Sequence, residues 1–207
     1  MTRLLTIPLV LLSVTALAAE EPDLVQRFEP LIERAARPSW DPQGELMLFD
    51  RPGEDGLYDV HLRFATGADR CLTCELYELR GHHNFNARWH PSGDLLVFQS
   101  QERGKRLGLG SLELATPERS VHSDLWVLHV NGRDYWQITR AAEQGSAVLD
   151  PRFSWEGEQL AWSQRLASKG GRWGEWQIVV ARFGFKRGVV RITRPRRLEP
   201  ASRPSLL

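Results

Sequence analysis

Residues 87–98 read Ala-Arg-Trp-His-Pro-Ser-Gly-Asp-Leu-Leu-Val-Phe, which is an aromatic residue before a turn sequence and an apolar run after it. Proline at the second position of a turn presets φ, and the glycine that follows accepts the positive φ that closes the turn. The apolar run is too short for a helix and is rich in Leu, Val and aromatic residues. The stretch therefore predicts a tight turn that leads into a strand buried on both faces.

The same pattern occurs three times along the chain. Its copies begin at Trp40, Trp89 and Phe153, and each has a glycine four residues later and a second aromatic five residues after that glycine. The third copy has no proline in its turn. One copy would indicate only a hairpin, but three copies in phase indicate a repeated structural unit.

Each copy continues with a second predicted strand, a turn, and a short strand that ends in threonine. In the second copy the turn is Asn131-Gly132, which is a strong hairpin signal between alternating strands. Repeats of about 40 to 50 residues built from four antiparallel strands are typical of β-propeller blades. The predicted blades are residues 37–74, 85–140 and 150–194.

These motifs resemble the WD40-like repeat of TolB-type β-propellers. Members of that family usually read Trp-Ser-Pro-Asp-Gly where this chain has Trp40-Asp-Pro-Gln-Gly44, and the resemblance covers residues 37–194. It implies an all-β fold and a ring of about six blades. Since three blades are visible, we consider a homodimer that completes a ring, loss of the C-terminal blades, and a fragment of a longer product.

The N-terminus has the pattern of a secretory signal peptide. A basic start is followed by an apolar run and by Ala16-Leu17-Ala18, which predicts cleavage after Ala18 and a periplasmic or secreted protein. An uncleaved anchor is the alternative, although the apolar run is short for a membrane span. Residues 19–36 are predicted to lead into the first blade through a short helix that Pro30 interrupts.

Charge is distributed unevenly. The net charge of +1 gives no general reason to expect a nucleic-acid partner, but residues 182–207 contain eight Lys or Arg residues and one acidic residue. Residues 195–207 are rich in Pro and Arg and are predicted to be disordered. The basic segment is either a solvated edge or a surface that contacts an anionic partner.

Cys71 and Cys74 are the two cysteines of the chain. In an exported protein this spacing favours a disulfide, which here requires a turn at Leu72-Thr73. A metal site completed by His82 or His83 and a redox-active pair are the alternatives.

A polar segment before the second copy is the first candidate binding site. We predict that it lies in the loop that enters blade 2, at one mouth of the central channel. Its imidazole and amide groups are suited to a polar ligand or a metal ion, although a polar turn would have the same composition. The candidate residues are His82, His83, Asn84 and Asn86.

Glu175 and Trp176, at the start of a predicted strand, are further ligand-binding candidates, with the indole suited to stacking on a carbohydrate or peptide. Most of the eight tryptophans are predicted instead to fill the space between blades.

The sequence contains none of the familiar hydrolase, metalloprotease, phosphate-binding or dinucleotide-binding motifs. The resemblance to TolB-type propellers, which dock other envelope proteins, implies an exported propeller that acts as a binding module, with an envelope or secreted protein as its partner and no cofactor. The alternative is a propeller enzyme, or part of one, that holds a metal, sugar or peptide at the channel mouth.

Overall fold

The computed structural model describes residues 31–102, 122–166 and 175–198. The chain divides into two compact units, Met1–Glu33 and Arg34–Leu207, and every described strand belongs to the second. The predicted signal peptide at residues 1–18 lies outside the described residues, as do most of the lead-in and the end of the basic tail.

Within the described residues, twelve strands form three sheets of four, which we call blades 1, 2 and 3 in chain order. The short 3-10 helices Tyr77–Leu79 and Ala142–Gln144 precede the second and third blades. Blade 1 contains β1 (Ala36–Trp40), β2 (Met47–Pro52), β3 (Tyr58–Arg63) and β4 (Asp69–Cys71); blade 2 contains β5 (His82–Trp89), β6 (Leu95–Glu102), β7 (Ser123–His129) and β8 (Tyr135–Gln137); blade 3 contains β9 (Val148–Phe153), β10 (Gln159–Leu166), β11 (Glu175–Lys186) and β12 (Val189–Arg197).

Every pairing within a blade is antiparallel, and the strands follow one another in chain order across each sheet. The first strands of successive blades contact each other, β1 with β5 and β5 with β9. The first strand of each blade is therefore innermost, and β4, β8 and β12 lie at the outer edges. This arrangement confirms the predicted all-β fold with four-stranded antiparallel blades.

The three repeat turns have the same conformation. Gly44, Gly93 and Gly157 have φ values of 77°, 78° and 75°, and each N–H donates to the carbonyl three residues earlier. In the third turn Trp155 occupies the position of the proline. The turn therefore depends on the left-handed glycine, while the proline is dispensable.

The hydrophobic core consists of two layers, one on each side of blade 2. In β6, Leu96 and Phe98 pack towards blade 1, while Leu95 and Val97 pack towards blade 3. The strand after the turn is thus buried on both faces in blade 2, as predicted. In blade 3 the equivalent strand alternates, because Gln159 is exposed next to the buried Leu160.

The prediction that most tryptophans pack between blades has two clear exceptions, Trp40 and Trp155. Trp89 and Trp162 are buried, but Trp40 is 58% exposed and Trp155 is 90% exposed. Trp89 packs against the preceding blade, and its indole N–H donates to the Ser39 carbonyl at 3.0 Å. Trp40 opens the first blade, which has no preceding sheet among the described residues, and Trp155 lies in a turn. The prediction for Trp173 falls outside the described residues.

Residues 31–35 form bends and turns, and β1 begins at Ala36, while the rest of the segment predicted to contain a short helix lies outside the described residues. At the other end, β12 continues to Arg197 and pairs with β11 down to Val179. Residues 195–197 are therefore part of a strand, three residues beyond the predicted end of blade 3. Among the described residues, no helix is long and apolar enough to cross a membrane.

Candidate functional site

The innermost strand of every blade carries a bulge at the same place in the repeat. Arg37, Asn86 and Asp150 have φ values of 53°, 57° and 51°, and each lies three residues before the first aromatic of its copy. The strand register shifts at each of these points. Positive φ is uncommon outside glycine, and bulges often re-aim side chains at binding sites, so these three positions are candidates for function.

A side chain of the preceding blade holds two of these bulges in place. The Asn86 N–H donates to Asp50 Oδ2 at 2.8 Å, and the Asp150 N–H donates to Gln99 Oε1 at 3.2 Å. Asp50 and Gln99 each follow the second aromatic of their copy, on the second strand. The repeat thus contains an acceptor that fixes the bulge of the next blade.

The bulge side chains extend this network across three blades. Arg37 Nε donates to Asp50 Oδ2 at 2.5 Å. Asn86 Nδ2 donates to Gln99 Oε1 at 2.6 Å and to Asp150 Oδ1 at 2.8 Å. We call these residues the axial polar cluster: Arg37, Asp50, Asn86, Gln99 and Asp150.

Burial dominates the electrostatics of this cluster. The Asp50 side chain is fully buried, which raises its pKa from 3.8 to about 6, although the Asn86 N–H and the Arg37 guanidinium favour the ionised form. Burial also lowers the pKa of Arg88, and the positive charge of Arg152 lowers it further. Arg88 and Arg152 occupy equivalent positions on the innermost strands, and Arg88 also interacts electrostatically with Asp50, Asp150 and Arg37.

Several buried atoms of the cluster have no hydrogen-bond partner among the described residues. They are Arg37 Nη2, Asp50 Oδ1 and Asn86 Oδ1. Buried polar atoms are nearly always paired, so unpaired ones mark positions where an ordered water or another polar group can bind. Asp150 is exposed and accepts a hydrogen bond from Asn86. The arrangement therefore offers two buried oxygen acceptors and one buried N–H donor beside an exposed carboxylate.

The predicted ligand residues of blade 2 lie on a strand rather than in a loop. β5 begins at His82, because the polar segment pairs with β6 from His82 onward. His82 Nδ1 lies 2.9 Å from Ser100 Oγ, and His83 Nδ1 accepts the Tyr58 N–H at 3.3 Å. Asn84 Nδ2 donates to Asp59 Oδ1 at 3.2 Å.

Of the predicted site residues, only Asn86 belongs to the axial polar cluster. Successive residues of a strand project to opposite faces, so His82 and His83 are directed apart. Glu175 and Trp176 open β11, which β10 separates from the innermost strand β9. Ligand binding by these four residues and by Asn84, and a metal ion at His82 and His83, stay predictions.

Sequence reasoning missed Arg37, Asp50, Gln99 and Asp150. Their positions within the repeat were a signal. Arg37 and Asp150 stand three residues before the first aromatic of their copies, and Asp50 and Gln99 directly follow the second aromatic of theirs. The residue types differ between copies, however, and only the position within the repeat is shared.

The predicted disulfide is present between Cys71 and Cys74, whose Cα atoms are 5.8 Å apart. β4 ends at Cys71, and the required turn follows at Leu72 and Thr73. The Cys74 N–H donates to Cys71 Sγ at 3.1 Å.

Solved β-propellers have a similar architecture. A putative TolB from Agrobacterium tumefaciens superposes with a TM-score of 0.53 and 14% identity, over 80% of this chain and 51% of that chain. TolB from Acinetobacter baumannii superposes with a TM-score of 0.49 and 17% identity, over 77% of this chain and 32% of that chain. The β-propeller domain of the Trilobed protease from Pyrococcus furiosus superposes with a TM-score of 0.48 and 14% identity, over 81% of this chain and 43% of that chain.

No family model matches the sequence, and no curated protein sequence matches it. At 14% identity the first of these likenesses shows the fold alone. The chain is thus a TolB-like arrangement of three propeller blades, as the repeat predicted. It spans about half the length of the putative TolB.

Proposed function

We propose that the chain is a non-catalytic binding module, exported from the cytoplasm, whose axial polar cluster binds a donor-rich group of a protein partner. The observation that carries this proposal is the pair of buried, unpartnered oxygens, Asp50 Oδ1 and Asn86 Oδ1, next to the exposed carboxylate of Asp150. An ammonium or guanidinium group of a polypeptide offers several donors for these oxygens and a positive charge that pairs with Asp150, while a backbone carbonyl of the same polypeptide can accept from the unpartnered Arg37 Nη2.

Binding is favoured over catalysis because of the residue types in the cluster. It consists of two carboxylates, two amides and one guanidinium that hydrogen-bond to one another, and Gln99 Nε2 also donates to the Val148 carbonyl. A rigid bulge on each of three innermost strands orients these groups before a ligand arrives, which lowers the entropic cost of binding.

Export is supported by the pattern of residues 1–18 and by the disulfide, since disulfides persist in oxidising compartments. An exported propeller meets other envelope or secreted proteins, which are the proposed partners. A short polypeptide segment is the class of ligand that fits a cluster of this size.

To test this proposal, the protein without residues 1–18 is immobilised and used to select binders from a phage-displayed library of random linear peptides. We expect a consensus that contains lysine or arginine. Asp150→Asn should weaken binding of a consensus peptide about tenfold or more, because it removes the charge of one hydrogen-bonded partner. The matched control is Asp94→Asn, since Asp94 is also exposed but lies in the turn of blade 2.

Isothermal titration of the synthetic peptide provides the measurement. A consensus without a basic residue, or equal affinity for the wild type and Asp150→Asn, would overturn the proposed site. Failure to select any peptide would overturn the proposed class of ligand.

A further inference from the structure

A histidine lies directly opposite the cysteine turn. In the pairing of β3 with β4, His61 is the cross-strand partner of Cys71. A ring nitrogen of His61 and the sulfurs of Cys71 and Cys74 lie within 4.8 Å of one another. His61 is buried and Cys74 is exposed, so this group of three opens to solvent on one side.

The turn that carries the sulfurs is held by contacts other than the disulfide. The Leu72 N–H donates to the Val60 carbonyl at 2.8 Å, and the Val60 N–H donates to Thr73 Oγ1 at 3.0 Å. Thr73 Oγ1 in turn donates to Asp59 Oδ1 at 2.6 Å. Leu72 and Leu76 are buried in the core between blades 1 and 2. Both sulfurs should therefore stay beside His61 when the disulfide is reduced.

The three ligand atoms have the chemistry of a zinc site. Two cysteines separated by two residues are a common zinc-ligand spacing, and thiolate with imidazole is a donor set that Zn²⁺ prefers. The Cys74 N–H bonded to Cys71 Sγ stabilises a thiolate at that sulfur.

We infer that His61, Cys71 and Cys74 form a zinc site when the disulfide is reduced, so that the disulfide and Zn²⁺ are alternative states of one turn. A dithiol reductant supplies two electrons and two protons to the S–S bond, which yields two thiols and leaves the reductant as a disulfide. Zn²⁺ then replaces the two thiol protons, and water completes the four-coordinate site. This inference is independent of the axial polar cluster and of its proposed ligand.

Charged neighbours of His61 act in both directions on a bound cation. Arg51 Nη2 lies 3.3 Å from His61 Nδ1 and repels a cation there, whereas the carboxylates of Asp59 and Asp69 attract one. Arg51 also pairs with Asp69 at 3.2 Å. Replacing Arg51 by a neutral side chain should therefore tighten metal binding.

The experiment uses the chain without residues 1–18, reduced with a phosphine and titrated with Co²⁺ in the absence of oxygen. We expect one Co²⁺ per monomer, a thiolate-to-cobalt charge-transfer band and displacement by Zn²⁺. The oxidised protein should show none of these. A reduced wild type that lacks the charge-transfer band, or that binds Co²⁺ only between two chains, would overturn the inference.

Substitutions identify the ligands. Cys74→Ser removes one of the two thiolates, so the charge-transfer band of a two-thiolate cobalt site should be lost. His61→Gln should weaken Co²⁺ binding about tenfold or more. His122→Gln, at an exposed position in blade 2, is the matched control and should match the wild type. Because His61 also stacks on Phe49, Arg51→Gln provides a second measurement that leaves the ligands intact, and it should strengthen binding. Unchanged affinity in both folded His61→Gln and Arg51→Gln would exclude His61 as a ligand.

Discussion

Asp50 is a carboxyl group that folding removes from water without fully pairing it. Arg37 and the Asn86 N–H bind Oδ2, but Oδ1 has no partner among the described residues. The cost of burial exceeds the gain from these two contacts, and the pKa rises from 3.8 to about 6. The folded state therefore binds this proton more tightly than the unfolded state does.

This raised pKa predicts that the Asp50 contribution to stability falls as pH increases from about 4 to 6 and is constant above that range. The change from 3.8 to about 6 corresponds to about 3 kcal/mol in the free energy of unfolding. Asp50→Asn, which cannot ionise, should remove this dependence. Urea unfolding of both proteins at several pH values between 4 and 7 measures the difference.

Other groups also contribute to the pH dependence. Burial raises the pKa of Asp124, which acts in the same direction as Asp50, whereas two histidines act in the opposite direction. His61 and His90 have lowered pKa values because they are buried, so their contribution is lost as pH falls below 6.5. Subtracting the Asp50→Asn curve from the wild-type curve cancels them. Asp134→Asn, at an exposed hairpin, is the matched control and should follow the wild type. Parallel curves for wild type and Asp50→Asn would contradict the prediction.

At the scale of elements, each repeat turn contacts the turn of the next blade. His90 Nε2 lies 3.1 Å from the Gly157 carbonyl oxygen, and the His90 ring packs on Phe153 and Phe183 at 4.8 and 5.3 Å between centroids. A Cβ added at Gly157 would lie 2.2 Å from His90 Nε2. Glycine is therefore required here both for its positive φ and for the approach of the neighbouring blade.

Comparing Gly157→Ala with Gly44→Ala separates these two requirements. Gly44 has the same conformation, but a Cβ there would meet nothing within 4 Å, so Gly44→Ala should cost only the left-handed strain of about 1–2 kcal/mol. Gly157→Ala should cost at least about 1 kcal/mol more, since His90 must move away from its partners. Urea unfolding at pH 7 gives both values.

A double-mutant cycle with His90→Ala supplies the control. Removing the imidazole removes the clash with the new Cβ. The loss in the free energy of unfolding caused by His90→Ala should therefore be smaller in the Gly157→Ala background than in the wild type. Equal costs for the two glycine substitutions, or strict additivity in the cycle, would show that the turn contact contributes nothing.

The contrast between these turns and the axial polar cluster shows what the sequence could predict. The turns were predictable because the glycine and the two aromatics are required locally and recur in every copy. The cluster was not, because Arg37, Asn86 and Asp150 share a backbone conformation instead of a residue type. The segment from His82 to Asn86 has the composition of a loop, but pairing with β6 makes it a strand.

At the scale of the whole molecule, blades 2 and 3 differ in the face that each directs away from blade 1. In blade 2 this face is buried against blade 3, and in blade 3 the equivalent positions are more polar or more exposed. The equivalent pairs are Leu95 and Gln159, Val97 and Ala161, Leu125 and Ile178, and Val127 and Val180. On blade 1 the residues of the opposite flank, Met47 and Phe49, are already buried within the chain.

These flanks predict a monomer rather than a ring-completing homodimer, because the flank of blade 1 that would receive the partner's blade 3 is already buried within the chain. The matched pair Ile178→Glu and Leu125→Glu tests this. Ile178 is 50% exposed, so its substitution should change stability by no more than about 0.5 kcal/mol. Leu125 is fully buried at the equivalent position, so a carboxylate there should destabilise the fold by about 4 kcal/mol or more. Light scattering of wild type and Ile178→Glu should give the mass of one chain for both, whereas a wild-type dimer that Ile178→Glu dissociates would identify this face as an interface between copies.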